Sequence, residues 1–136
     1  MDPAASKKFL EESLSRLRRM QDKLGYLPDN IVTEESFVFI PLASSKTNRT
    51  FVLRAKPDEE YPMKPADYTF VNPADYKQEG VSFWPNDNGQ AFKHENPPWI
   101  CMSGTLAWTL HGHPNPGMRD NLMENVAFSI FVKINK

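Results

Sequence analysis

Prolines are concentrated between Pro57 and Pro116, and they forbid any long regular element through the middle of the chain. A proline has no backbone N–H and a fixed φ, so it interrupts helices and is excluded from central sheet ladders. With twelve prolines in 136 residues, this middle region is expected to be loops joined by short strands.

Before it, Leu10, Leu14, Leu17, Gln21 and Leu24 recur at helical spacing and predict an amphipathic helix from about Ser6 to Leu24. Ser6 reads as its N-cap and Gly25 as its stop, and Lys7, Lys8, Arg16, Arg18, Arg19 and Lys23 make its outer face basic. Two strands follow, Ser36–Leu42 and Thr50–Ala55, joined as a hairpin through the polar run Ser44–Arg49. Tyr68–Val71 is a third strand set off by prolines. After Pro73 the chain reads as irregular, and Trp84–Gly89, rich in turn formers, is assigned to surface loop. Asn121 to about Ile134 has Leu122, Val126 and Ile130 at helical spacing, with Asp120 or Asn121 as cap. The alternation Val126, Phe128, Ile130, Val132, Ile134 also suits a strand, and helix is the reading adopted. The plan is α+β: N-terminal helix, antiparallel meander of short strands, irregular segment, C-terminal helix.

A length of 136 residues predicts one domain, 1–136, around one core. The net charge of −1 gives no electrostatic footprint for nucleic acid or an anionic membrane, so neither partner is expected. Apolar runs are only a few residues long, and the start leads into a charged amphipathic segment, which predicts a soluble, cytoplasmic protein. One cysteine, Cys101, makes no internal disulfide, and an unpaired thiol fits a reducing compartment.

Cys101 lies between Pro97-Pro98-Trp99 and Ser103-Gly104-Thr105, a setting unlike the apolar core where free cysteines usually pack. A thiolate exchanges acyl groups with another thioester at little cost, and the product stays reactive toward amines. Aminolysis passes through an oxyanion, for which Asn96 is the candidate donor, although it also reads as a turn former before Pro97. His111 and His113, in a second His-Pro-Asn run, read by themselves as solvated loop histidines. Trp108 reads as a core anchor, and Trp84, Trp99, Phe83 and Phe92 as a satellite aromatic cluster.

Tyr61-Pro62-Met63-Lys64-Pro65, then the strand ending at Asn72-Pro73, then His94-Glu95-Asn96, Ile100-Cys101-Met102 and Trp108 resemble, in that order, the signature of ubiquitin-conjugating enzymes. Glu95 stands where that family has proline, and Asn96 lies closer to the cysteine than is usual. With one helix after the cysteine, the chain resembles the compact conjugating components of bacterial ubiquitin-like systems linked to phage defence. The resemblance implies a ubiquitin-conjugating-enzyme-like fold with an active-site loop. It also implies a transferase that accepts the C-terminus of a ubiquitin-like protein from an activating enzyme as a thioester on Cys101 and passes it to an amine of a protein target. In that family the stretch after the cysteine folds back over the active site, so His111 or His113 would deprotonate or orient the incoming amine; His94 would order the loop by bonding a backbone carbonyl, and Lys7, Lys8, Arg16 and Arg19 would dock the activating enzyme. No cofactor or metal is implied. Two alternatives stay open: a noncatalytic scaffold that binds a ubiquitin-like protein, and a small zinc protein using Cys101, His111, His113 and His94.

Overall fold

The structure is a computed structural model and describes residues 1–24, 31–87, 89 and 91–136. The expected stop at Gly25, the side chains of Gln21, Lys23 and Leu24, and Asn88 of the turn-rich stretch lie outside the described part.

Helix α1, Pro3–Leu24, starts earlier than its periodicity suggested. Pro3 occupies the first helical position, where a missing N–H costs nothing, and the Ala4 N–H donates to Asp2 Oδ1 at 3.0 Å. Asp2 rather than Ser6 therefore caps the helix. Ser6 turns inward, 7% exposed, and donates its hydroxyl to the Tyr61 carbonyl at 2.7 Å.

Four strands form an antiparallel sheet in chain order: β1 (Val32–Glu34), β2 (Phe37–Ser44), β3 (Arg49–Lys56) and β4 (Asp67–Val71). The β2–β3 hairpin and β4 are those the sequence predicts; β1, three exposed residues paired to the start of β2, was not expected. Alternation decides the faces. Val38, Ile40, Leu42, Phe51, Leu53, Tyr68 and Phe70 join the main core, whereas Phe39, Val52 and Val71 form a small cluster of their own. Tyr76, in the turn after β4, lies over that cluster with its ring 5.3 Å from Phe39.

The core is closed by Leu17 of α1 and by the last helix, α4, whose numbering follows two short helices before it: α2 (Leu106–Leu110), α3 (Met118–Asn121) and α4 (Met123–Ile134). Met123, Val126, Ala127, Ile130 and Ile134 are buried at helical spacing, while Phe128 and Val132 are 39% and 40% exposed, which resolves the helix-or-strand ambiguity. Neither Asp120 nor Asn121 caps α4. Leu122 separates α3 from α4, and the fully buried Asn121 donates through Nδ2 to the Pro62 carbonyl at 3.0 Å.

Between sheet and helices, the region read as irregular holds a 3-10 turn at Val81–Phe83 and a two-stranded hairpin, β5 (Phe92–Lys93) with β6 (Trp99–Ile100). Trp84 and Pro85 are buried, so the surface-loop assignment fails there. Nor do the aromatics form a satellite: Trp84 and Phe92 meet Phe70 edge-on at 5.1 and 5.8 Å and belong to the main core. No helix among the described residues is long and apolar enough to cross a membrane.

A buried polar triad locks α1, Tyr61 and α4 together. Ser13 Oγ lies 2.6 Å from both Tyr61 Oη and Glu124 Oε1, the Met123 N–H donates to Tyr61 Oη at 2.7 Å, and Arg16 Nη1 donates to Glu124 Oε2 at 3.0 Å. Burial pushes the Tyr61 phenol up to about 12, so it stays protonated and serves as donor and acceptor together. Tyr61→Phe strands the Met123 N–H and is expected to lower stability by about 1–3 kcal/mol, read from urea unfolding midpoints.

Candidate active site

Cys101 follows β6 directly, and its N–H donates to the Ala91 carbonyl at 2.8 Å, which carries the hairpin one pair further. The turn after it is fixed by Thr105. That residue's Oγ1 caps α2 by accepting from the Trp108 N–H at 3.3 Å, and it lies 2.8 Å from the Met102 carbonyl and 3.1 Å from the Ile100 carbonyl. Gly104 makes the turn possible with φ +98. One short helix, α2, then brings the chain back, and His111 is its C-cap, followed by Gly112 at φ +91 as the left-handed terminator. This return places His111 Nδ1 3.2 Å from Cys101 Sγ.

The pair sits on a surface groove lined by Lys93, Trp99, Met102, Trp108, His113 and Lys133. The Trp99 ring packs edge-on to His111 with centroids 4.7 Å apart, and the Trp108 ring stacks on His113 at 3.8 Å. Trp108 is only half-buried and forms a wall of the groove, in place of the core anchor expected of it.

Of the five candidate catalytic residues, the structure brings together Cys101 and His111, with His113 beside them in the same groove. It does not bring in the other two. Register pairs Lys93 with Trp99, so Asn96 falls at the exposed tip of the β5–β6 hairpin and is absent from the groove lining. His94 is held instead by its Nε2–H donating to the Pro85 carbonyl at 2.6 Å, a bond that ties the hairpin to the buried Trp84–Pro85 corner. Among the described residues no three His, Cys, Asp or Glu side chains come together to hold a metal, so the Cys101, His111, His113, His94 zinc set is not assembled.

On α1, Lys7 and Lys8 are exposed, and Arg19 donates to Ser15 Oγ at 3.1 Å. Arg16 is different, because its guanidinium is bound to the buried Glu124 carboxylate. Reversing its charge would strand that carboxylate, so Arg16 is a structural residue of the α1–α4 contact rather than a free docking cation.

Burial pushes the Cys101 thiol up from its ordinary 9.0. The resting sulfur is therefore a thiol, with His111 Nδ1 3.2 Å away. The sign of the shift sets a pH dependence: the thiolate, favoured only by alkali, stays scarce at neutral pH. Iodoacetamide alkylation of Cys101 is expected to be slow at pH 7 and still rising with pH beyond 9.0, as followed by intact mass. A plateau at neutral pH would contradict this.

The sequence held a signal for His111 that a search centred on His94-Glu95-Asn96 passes over. Thr105 as N-cap, five helical residues and Gly112 as terminator describe a helix whose end must turn back on the segment before it. Asn115, in the second His-Pro-Asn run, also has a role: its Nδ2 donates to the Met63 carbonyl at 2.8 Å and its Oδ1 accepts from Asn121 Nδ2 at 2.9 Å. These bonds tie the stretch after His111 to the Tyr61–Met63 corner. In comparisons with family models, with curated proteins and with solved structures, the chain matches none.

Proposed function

We propose that the protein is a conjugating-type carrier that takes an activated C-terminal acyl group of a ubiquitin-like protein onto Cys101 and passes it to an amine of a protein target. The observation that carries this reading is the thiol of Cys101 on an open surface groove with His111 Nδ1 at 3.2 Å. The order of helix, four-stranded antiparallel meander, cysteine segment and closing helix is the order implied by the resemblance to ubiquitin-conjugating enzymes, and supports a fold of that kind.

In the loading step, His111 accepts the S–H proton as the sulfur attacks the carbonyl of the incoming thioester. The tetrahedral intermediate expels the donor thiolate, which takes up a proton, and the acyl group remains on Cys101. In the transfer step an amine attacks the new thioester, loses its proton and releases the Cys101 thiol. A thiol pushed up by burial suits a carrier that must stay quiet until a donor arrives. Thiol hydrolases, in contrast, keep their sulfur ionised by a strongly depressed pKa. The exposed Lys7, Lys8 and Arg19 remain the proposed contacts for an activating enzyme.

The test is to mix the protein with an activating enzyme, its ubiquitin-like substrate and ATP. An ATP-dependent adduct on non-reducing gels, cleaved by thiol reductant and absent in Cys101→Ala, is the expected result. Absence of any adduct with an activating enzyme that charges itself would overturn the proposal.

A further inference from the structure

The net charge of −1 hides an uneven distribution. Where the turn between β2 and β3 meets the end of α4, a cavity of about 440 Å³ is bordered by Lys46 and Arg49 of the turn and by Lys133 and Lys136 of the C-terminal segment. Asn135 fixes the two walls together: its Oδ1 accepts from the Ser45 N–H at 2.8 Å, and its Nδ2 donates to the Ala43 carbonyl at 3.0 Å. Among the described residues none of the four cations is in an ion pair. Lys46 Nζ donates to the Lys136 carbonyl and Arg49 Nη2 to the Ser82 carbonyl at 3.0 Å, and these neutral acceptors leave both charges uncompensated. Asp87 is the one carboxylate among the described lining residues, and its Oδ2 accepts from the His94 N–H at 3.3 Å. Like charges gathered around one cavity repel one another, and an anion bound between them relieves that repulsion.

A second observation points the same way. Ser44, at the end of β2, lines the cavity and is 3% exposed, yet its hydroxyl has no hydrogen-bond partner among the described residues. A buried hydroxyl left unpaired costs stability, and a ligand that accepts from it recovers that cost. Phosphate oxygens suit such a lining, because each takes several donors and an arginine presents two N–H groups to them at once. The volume falls within the span of small-molecule pockets, about 300–1,000 Å³, which leaves room for a chain of phosphates. We infer that this cavity binds an oligophosphate, held by Lys46, Arg49, Lys133, Lys136 and the Ser44 hydroxyl. Among the described lining residues it shares only Lys133 with the Cys101 groove, and the inference stands whether or not Cys101 carries an acyl group.

The experiment titrates the full chain with inorganic triphosphate by calorimetry at pH 7 and fixed ionic strength, with citrate as a phosphate-free anion. Saturable binding at one site, with citrate much weaker, is the expected result. Affinity should fall about tenfold or more in Arg49→Gln and in the double variant Lys133→Gln, Lys136→Gln, which remove charged donors from opposite walls. Ser44→Ala should weaken binding by about three- to tenfold while its urea midpoint holds or rises, since no hydrogen bond within the protein is lost. Arg18→Gln, which removes one exposed charge from α1, is the control and should bind as the parent does. No saturable binding, equal binding of citrate, a loss in Arg18→Gln as large as in Arg49→Gln, or full affinity in both Arg49→Gln and Ser44→Ala would overturn the inference.

Discussion

His111→Ala is expected to slow single-turnover loading of Cys101 by about 10²–10⁴-fold, the usual contribution of a positioned general base. The thiol is pushed up by burial, so its proton must leave during attack, and His111 Nδ1, 3.2 Å from Sγ, is the group placed to receive it. His111 is exposed, so truncation should move stability by no more than about 0.5 kcal/mol. A folded variant with slow loading, partly recovered at alkaline pH where hydroxide replaces the missing base, is the expected outcome. Stopped-flow loading across pH 7–10 would show it. An unchanged rate at neutral pH would reduce the contact to packing against Trp99.

Gly104→Ala should have the largest structural effect of any single methyl addition near the site. A Cβ there would stand 2.2 Å from the Asp120 carbonyl oxygen and 2.7 Å from Val126 Cγ2, on a backbone with φ +98. Left-handed strain and overpacking against a fixed carbonyl together cost about 2–5 kcal/mol. The damage falls where the turn after Cys101 packs on α3 and α4, so loading should decline with stability. Gly112→Ala is the control. Its φ of +91 carries the same kind of strain, but nothing lies within 4 Å of the added Cβ, so only about 1–2 kcal/mol is expected. Urea unfolding of both variants compares them directly.

Long amphipathic elements were readable because their periodicity is a statement about burial. Leu10, Leu14 and Leu17 in α1, the alternating residues of β2 and β3, and the stripe from Met123 to Ile134 all face one core. The short elements were not readable: β1 has three residues, β5 and β6 two each, and α2 five, too few for a period to show. Their positions come from tertiary hydrogen bonds, such as Cys101 N–H to Ala91 O and Leu106 N–H to Ala66 O, which no local pattern encodes.

At the site, Cys101 stood out as the sole cysteine, and His111 and His113 as neighbours in sequence, but the choice between the histidines depended on the length of α2. Asn96 was misplaced because spacing was read in place of hairpin register: five positions before the cysteine is, in an antiparallel pair, the far tip of the turn. The ion pair of Arg16 is illegible in the sequence for a related reason. A helical wheel shows its exposed basic face, but its partner, Glu124, lies over a hundred residues away on α4.

The most direct measurement of acyl transfer through Cys101 is a pulse and chase. The chain is loaded with activating enzyme, ubiquitin-like protein and ATP, ATP is removed, and free lysine is added at increasing concentration while the thioester is followed on non-reducing gels. A thioester whose loss accelerates in proportion to lysine, with the amide of lysine as product, is the predicted result. A Cys101 adduct that resists thiol reductant, or a thioester lost to water at one rate whatever the amine concentration, would contradict a carrier that serves amines.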